Sequence, residues 1–157
     1  MSSPDLLLDI LQTIPALARL APPDLDALKF ALILESNPAG HVYLIEGKRG
    51  SEAFLLLAGE VAVTHQRPDS HRVDQLNRIV PGQFFGLLSL VDEGHRSATC
   101  TGVGPTQAAR LNRSAFRLLF NAQAPVAYAM QRTIADQLAQ TFRHLDGEIR
   151  KELARTP

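Results

Sequence analysis

A mainly β domain with helices at both ends is the fold class this sequence predicts, and three observations predict it. Apolar residues recur at helical spacing from 4 to 35 and again beyond 112, whereas between 37 and 112 they fall in short runs of β type. Glycine punctuates those runs: Gly40, Gly47, Gly50, Gly59, Gly82, Gly86, Gly94, Gly102 and Gly104 stand at or beside their junctions. The chain has 157 residues and is 45% apolar, which suits one domain with a sizeable core and leaves little for a second.

The N-terminal zone, 4–36, predicts two or three short helices interrupted by Pro15 and by Pro22-Pro23. Pro23 and Asp24 give one of them a fixed first turn with a carboxylate at the positive end of the helix dipole, and Leu25, Leu28 and Leu32 form its apolar stripe. From 37 to 112 the runs Val42–Ile45, Ala53–Leu57, Val61–His65, Val73–Ile79, Thr99–Val103 and Gln107–Leu111 predict strands. Many short strands at regular spacing imply a sandwich, a jelly roll or a barrel. Pro68-Asp69-Ser70 marks a turn between two of them.

The last zone, 113–155, is helical, with Asn112 as the cap of a short helix and Pro125 in the first turn of a long one that reaches about 154. Val126, Met130 and Ile134 line one side early. Ala135, Leu138, Phe142, Leu145 and Ile149 then follow the alternating three-four spacing of a coiled-coil seam. A helix of about 30 residues extends roughly 45 Å, more than a lone barrel can cover, so the expectation is a homodimer through residues 135–149. Gly147 weakens the distal end by roughly 1 kcal/mol relative to alanine, enough to favour a kink or fraying there.

Charge and cysteine usage exclude several functions. Sixteen basic residues balance sixteen acidic ones, so no general nucleic-acid surface is expected. The single cysteine, Cys100, supports neither an internal disulfide nor a structural zinc or all-cysteine cluster site. His41, His65, His71, His95 and His144 lack metal-ligand spacing. There is no basic leader, no apolar run of membrane-spanning length, no P-loop and no nucleophile elbow, so a cytoplasmic, non-catalytic protein is expected.

Residues 81–99, Pro-Gly-Gln-Phe-Phe-Gly-Leu-Leu-Ser-Leu-Val-Asp-Glu-Gly-His-Arg-Ser-Ala-Thr, carry the chemistry. A helical turn opening at Gly86 presents backbone N–H groups, and Arg96 adds a planar cationic fork, which together make an anion cradle. For an isolated arginine the competing reading is a surface ion pair with Asp92 or Glu93.

The order of parts resembles the cyclic nucleotide-binding domain family, in the form seen in bacterial catabolite-activator-type effector domains. Three blocks carry the resemblance: Pro38-Ala39-Gly40 through Glu46-Gly47 to Phe54–Val61; Pro81–Gly86 to Arg96-Ser97-Ala98; and Leu111–Phe116 leading into the long helix. It implies a single domain over 1–157, an eight-stranded β-roll (a jelly roll, or double-stranded β-helix) at 37–112, with a phosphate-binding cassette at 81–99. It also implies a helical bundle before the roll and a lid or dimer helix at about 125–154. The implied function is a non-catalytic regulatory module that binds cyclic AMP or cyclic GMP and needs no cofactor.

The family's cassette pattern is matched by Phe85, Gly86, Leu88, Ser89, Leu90, Arg96, Ser97 and Ala98, whereas its glutamate position holds Leu87. The resemblance makes that glutamate the acceptor for the ribose hydroxyl. Losing such a bond removes about 1.5 to 3 kcal/mol, roughly ten- to more than hundredfold in affinity, and Glu at position 87 is expected to recover it. Counting along the chain also matches Thr141 to a threonine that contacts the purine in some relatives.

Two alternatives remain at this point. Leu87 is compatible with a fold that has lost its nucleotide and serves as a dimeric protein-interaction module. Regulators of the family also continue beyond the long helix into a helix-turn-helix domain, and this sequence ends at Pro157 without a recognition helix. Output then passes through a protein partner, or the chain is the effector part of a DNA-binding regulator.

Overall fold

The structure is a computed structural model. It describes residues 3–122 and 124–155; residues 1, 2, 123, 156 and 157 of the expected single domain lie outside the described residues. Two helices, α1 (Ser3–Thr13) and α2 (Pro22–Ala31), precede eight strands: β1 (Ile33–Asn37), β2 (Val42–Leu44), β3 (Glu52–Ala58), β4 (Val61–Gln66), β5 (Val73–Ile79), β6 (Phe84–Phe85), β7 (Thr99–Gly102) and β8 (Thr106–Asn112). One helical turn, α3 (Leu88–Val91), lies between β6 and β7, and α4 (Arg113–Ala122) and α5 (Ala124–Arg155) close the chain.

The strands form two four-stranded antiparallel sheets, ordered β1-β8-β3-β6 and β2-β7-β4-β5, which is the expected jelly roll. Two strands depart from the reading of the sequence. Residues 33–36, assigned there to the N-terminal helices, form most of β1, because Leu32 leaves helical geometry and the next five residues pair with β8 from Ile33↔Arg110 to Asn37↔Thr106. Phe84–Phe85 is a two-residue strand at the sheet edge, too short to show periodicity.

Alternation along β3 divides the interior into two cores. Ala53, Leu55 and Leu57 face a helix-side core with Leu7, Leu11, Leu28, Phe116, Val126 and Met130. Phe54 and Leu56 face the roll interior with Leu44, Val61, Ile79, Phe85 and Cys100. That period of two is what a sheet covered on both faces requires.

At the C-terminal end Asn112 caps as its residue type predicts, its Oδ1 accepting from the Ala115 N–H at 2.8 Å. Helix α5 runs unbroken across Gly147 to Arg155. Its first half is anchored, with Val126 and Met130 fully buried, and its second half is bare. Phe142 is 69% exposed, Leu145 50% and Ile149 58%. Ala135 is exposed and Leu138 half-buried.

Candidate functional site

The cassette begins where β6 ends. Gly86 has φ +76, and a Cβ there would stand 2.8 Å from Arg96 Nη1 and 3.1 Å from the Glu52 carbonyl oxygen, so only glycine turns the chain here without a clash. One short turn of helix follows, with the Leu90 N–H bonding the Leu87 carbonyl at 3.0 Å. The loop then closes on residues 45–50: the Gly47 N–H donates to the Arg96 carbonyl and the Arg96 N–H to the Lys48 carbonyl, both at 2.8 Å.

Arg96 is 7% exposed. Its Nη1 donates to the Gly86 carbonyl at 3.0 Å and its Nη2 to the Glu52 carbonyl at 2.6 Å. The guanidinium lies against Gly50, where any Cβ would overlap it. The ion pair with Asp92 or Glu93 does not form. Asp92 accepts from the Gly94 N–H at 2.9 Å, and Glu93 pairs with Arg117 at 2.8 Å. Among the described residues no carboxylate stands within ion-pair distance of Arg96. Glu52, whose carbonyl it uses, gives its carboxylate to Arg110 at 2.7 Å.

The electrostatic result is a buried cation held by neutral carbonyls. Burial pulls the Arg96 pKa down, Cys100 and Glu52 oppose that pull, and Arg113 adds to it. Burial likewise pushes the Cys100 thiol up to about 11, against the attraction of Arg96. Arg113 braces the site from the start of α4. Its Nη2 donates to the Gly50 carbonyl at 2.9 Å and also to the Ser89 carbonyl in α3.

The remaining expected site residues separate. Phe85 faces the roll interior, stacked on Phe54 with centroids 5.3 Å apart and edge-on to Tyr43 at 5.2 Å. Leu87 is buried in the helix-side core together with Leu90. Leu88 is half exposed, Ser89 buried, Ser97 exposed and Ala98 half-buried. Thr141 is exposed, and its hydroxyl donates to the Gln137 carbonyl one turn back at 3.0 Å. The structure thus brings Gly86 and Arg96 together, sends Phe85 and Leu87 into different cores, and among the described residues shows the Thr141 hydroxyl bonded to its own helix.

Gly50, Glu52 and Arg113 belong to this site and were not marked by the sequence, because two of them act through backbone carbonyls and the third bonds two carbonyls, with its Nη1 3.7 Å from the Glu93 carboxylate. A cleft of about 720 Å³ opens beyond Gly47, between residues 45–47, Thr99 and the turn at 66–71. None of the expected ligand-binding residues lines it. At its edge Glu46 accepts from the Gln66 N–H at 3.0 Å and pairs with His65 at 2.7 Å.

Residues 34–123 match the model of the cyclic nucleotide-binding domain. The chain belongs to that family. It is 32% identical over 123 residues to a cAMP-dependent protein kinase regulatory subunit of Neurospora crassa, covering 78% of this chain and 30% of that protein. It is 27% identical over 124 residues to a CRP-like cAMP-activated global transcriptional regulator of Mycobacterium tuberculosis, covering 74% of this chain and 55% of that protein. A cyclic nucleotide-binding domain from Methylobacillus flagellatus has the same fold, with a TM-score of 0.85 at 23% identity over 95% of this chain and 83% of that one. The chain therefore spans little more than half of one curated relative and less than a third of the other.

Proposed function

We propose that this domain is a non-catalytic cyclic-nucleotide sensor whose cassette takes the ligand's phosphate at Gly86 and Arg96, with Ser97 and Ala98 beside it, and whose long helix passes the signal on. The observation that carries the reading is the Arg96 guanidinium, buried with carbonyl partners only. A buried charge without a counter-ion is costly, and a planar fork suits two oxygens of one phosphate. The relatives are named as cAMP-dependent or cAMP-activated, which points to cyclic AMP before cyclic GMP. Homodimerisation through Ala135, Leu138, Phe142, Leu145 and Ile149 supplies the output, since Phe142, Leu145 and Ile149 are exposed on α5 and half-buried Leu138 continues their seam. Ligand shifts that output only by its differential affinity for two arrangements of the helix.

Calorimetry with cyclic AMP and cyclic GMP tests this. Wild type gives a binding isotherm, and Arg96→Lys, which keeps the charge and loses the fork, weakens it at least tenfold. Silence from folded wild type at millimolar ligand contradicts the reading.

A second reading has its own support. Leu87 packs into the helix-side core, so the family's sugar acceptor is replaced by a packing residue. On that reading the fold binds no nucleotide and serves as a dimeric protein-interaction module; separately, the domain can be the effector part of a transcription regulator.

A further inference from the structure

Helix α5 shares a buried core with Phe84 of the cassette's lead-in strand, and among the described residues its hydrogen bonds to that strand come from one side chain, Gln137. In the sheet order β1-β8-β3-β6, β6 is an edge, paired with β3 through Leu55↔Phe84 and Phe54↔Phe85. Hydrogen bonding alternates along such a strand: the Gln83 carbonyl turns to β3 and accepts from the Leu56 N–H at 3.1 Å, so the polar groups of Phe84 point to the open side. Gln137 of α5 fills that side. Its Oε1 accepts from the Phe84 N–H at 3.3 Å and its Nε2 donates to the Phe84 carbonyl. A side-chain amide thus pairs with the strand as another strand's peptide group would.

The surroundings give this contact a way to open. The Phe84 ring is buried, and Thr133, one turn earlier on α5, is buried with its hydroxyl bonded to the Ala129 carbonyl at 2.8 Å, so the helix is seated firmly just before Gln137. Beside Gln137 lies a cavity of about 130 Å³ with a mixed lining whose polar members include Thr13, Gln83, Asp136 and Gln140. It is large enough for water to take over both backbone groups of Phe84 when the amide withdraws.

We propose that Gln137 is the positioning residue that couples the long helix to the cassette. It fixes the register of α5 on Phe84, two residues before Gly86, so that displacement of either is felt by the other. This rests on the reading of residues 86–98 as the ligand site, but it concerns a contact that exists whether or not a nucleotide binds.

Amide exchange and arginine side-chain NMR on the whole chain, without ligand, test it. Gln137→Leu keeps size and removes both hydrogen bonds. The expected result is at least a tenfold loss of protection at the Phe84 amide, together with a shift of the Arg96 Nε–H resonance. In Gln137→Glu the protonated side chain donates and accepts as glutamine does, whereas the ionised one repels the Phe84 carbonyl. Protection in that variant, corrected for intrinsic exchange, therefore rises as pH falls through the carboxyl titration, while wild type stays level. That pH profile decides the matter if the leucine variant fails to fold. Phe84 protection within twofold of wild type in both variants overturns the proposal, and so does an Arg96 resonance that stays fixed when Phe84 protection is lost. Failure of cyclic AMP to bind wild type bears on the sensing reading alone.

Discussion

Phe85 and Leu87 stand on either side of Gly86, yet Phe85 lies in the roll interior with Tyr43 and Phe54, and Leu87 lies among the leucines of the helix side. The positive φ at Gly86 turns the chain between them. One face of the cassette is therefore a charged fork bound to carbonyls, and the other is a hydrophobic anchor. The difference teaches that the polar contacts of Arg96 and the attachment to the helices are carried by separate faces of one turn. On the proposed reading Arg96 and Gly50 serve the first and Gln137 joins the two through the Phe84 backbone, while Leu87 and Leu90 pack among the helices.

The largest expected effect comes from inverting the anchor. Leu87→Glu places a carboxylate among apolar side chains, and its unfolding free energy should drop by about 3 kcal/mol or more in urea titration. Recovery of ribose recognition by that variant, with stability intact, would mean that Leu87 turns toward the roll instead. Next is the thiol beside the fork. An exposed cysteine ionises near 9.0 while Cys100 holds its proton to about 11, so the unfolded chain loses its proton first. Stability contributed by Cys100 is whole below pH 9 and declines toward pH 11 by roughly 2 to 3 kcal/mol. Urea melts at pH 8 and 10.5 should show that extra decline in wild type and not in Cys100→Ala.

Gly50→Ala tests the proposed phosphate face without replacing the arginine. Its methyl overlaps the guanidinium, and loss of the two carbonyl bonds should cost about 1 to 2 kcal/mol and weaken cyclic AMP as Arg96→Lys does. If calorimetry and melting both match wild type, the fork is not confined by Gly50. Leu138→Asp with Phe142→Asp should halve the mass by light scattering and leave the cassette's ligand contacts in place. The smallest effect belongs to Thr141→Ala, within about 0.5 kcal/mol in stability, because that hydroxyl is exposed and bonded to its own helix.

Much of this was legible in the sequence, for physical reasons that also explain the rest. Glycine-bounded apolar runs located six strands, since sheets need turns and turns favour glycine. The first strand was missed because Ile33–Asn37 follows α2 with no breaking residue, and its pairing with β8 is a tertiary choice. Gly86 and Arg96 were legible because each supplies something few residue types can: a left-handed backbone and a planar cation. Gly50, Glu52 and the Phe84 edge were not, since backbone groups carry no signature in residue type. The direction of Leu87 was hidden as well, being set by the turn before it.

The central claim is that the buried Arg96 charge is the one that meets the ligand's phosphate. The most direct test is titration of the folded chain with cyclic AMP while following the arginine Nε–H resonances by NMR. The Arg96 signal should shift and its exchange with water slow, with Arg117, bonded to Glu93 on the surface, unmoved. An Arg96 resonance that stays in place through millimolar cyclic AMP, or that moves no more than Arg117, would contradict it.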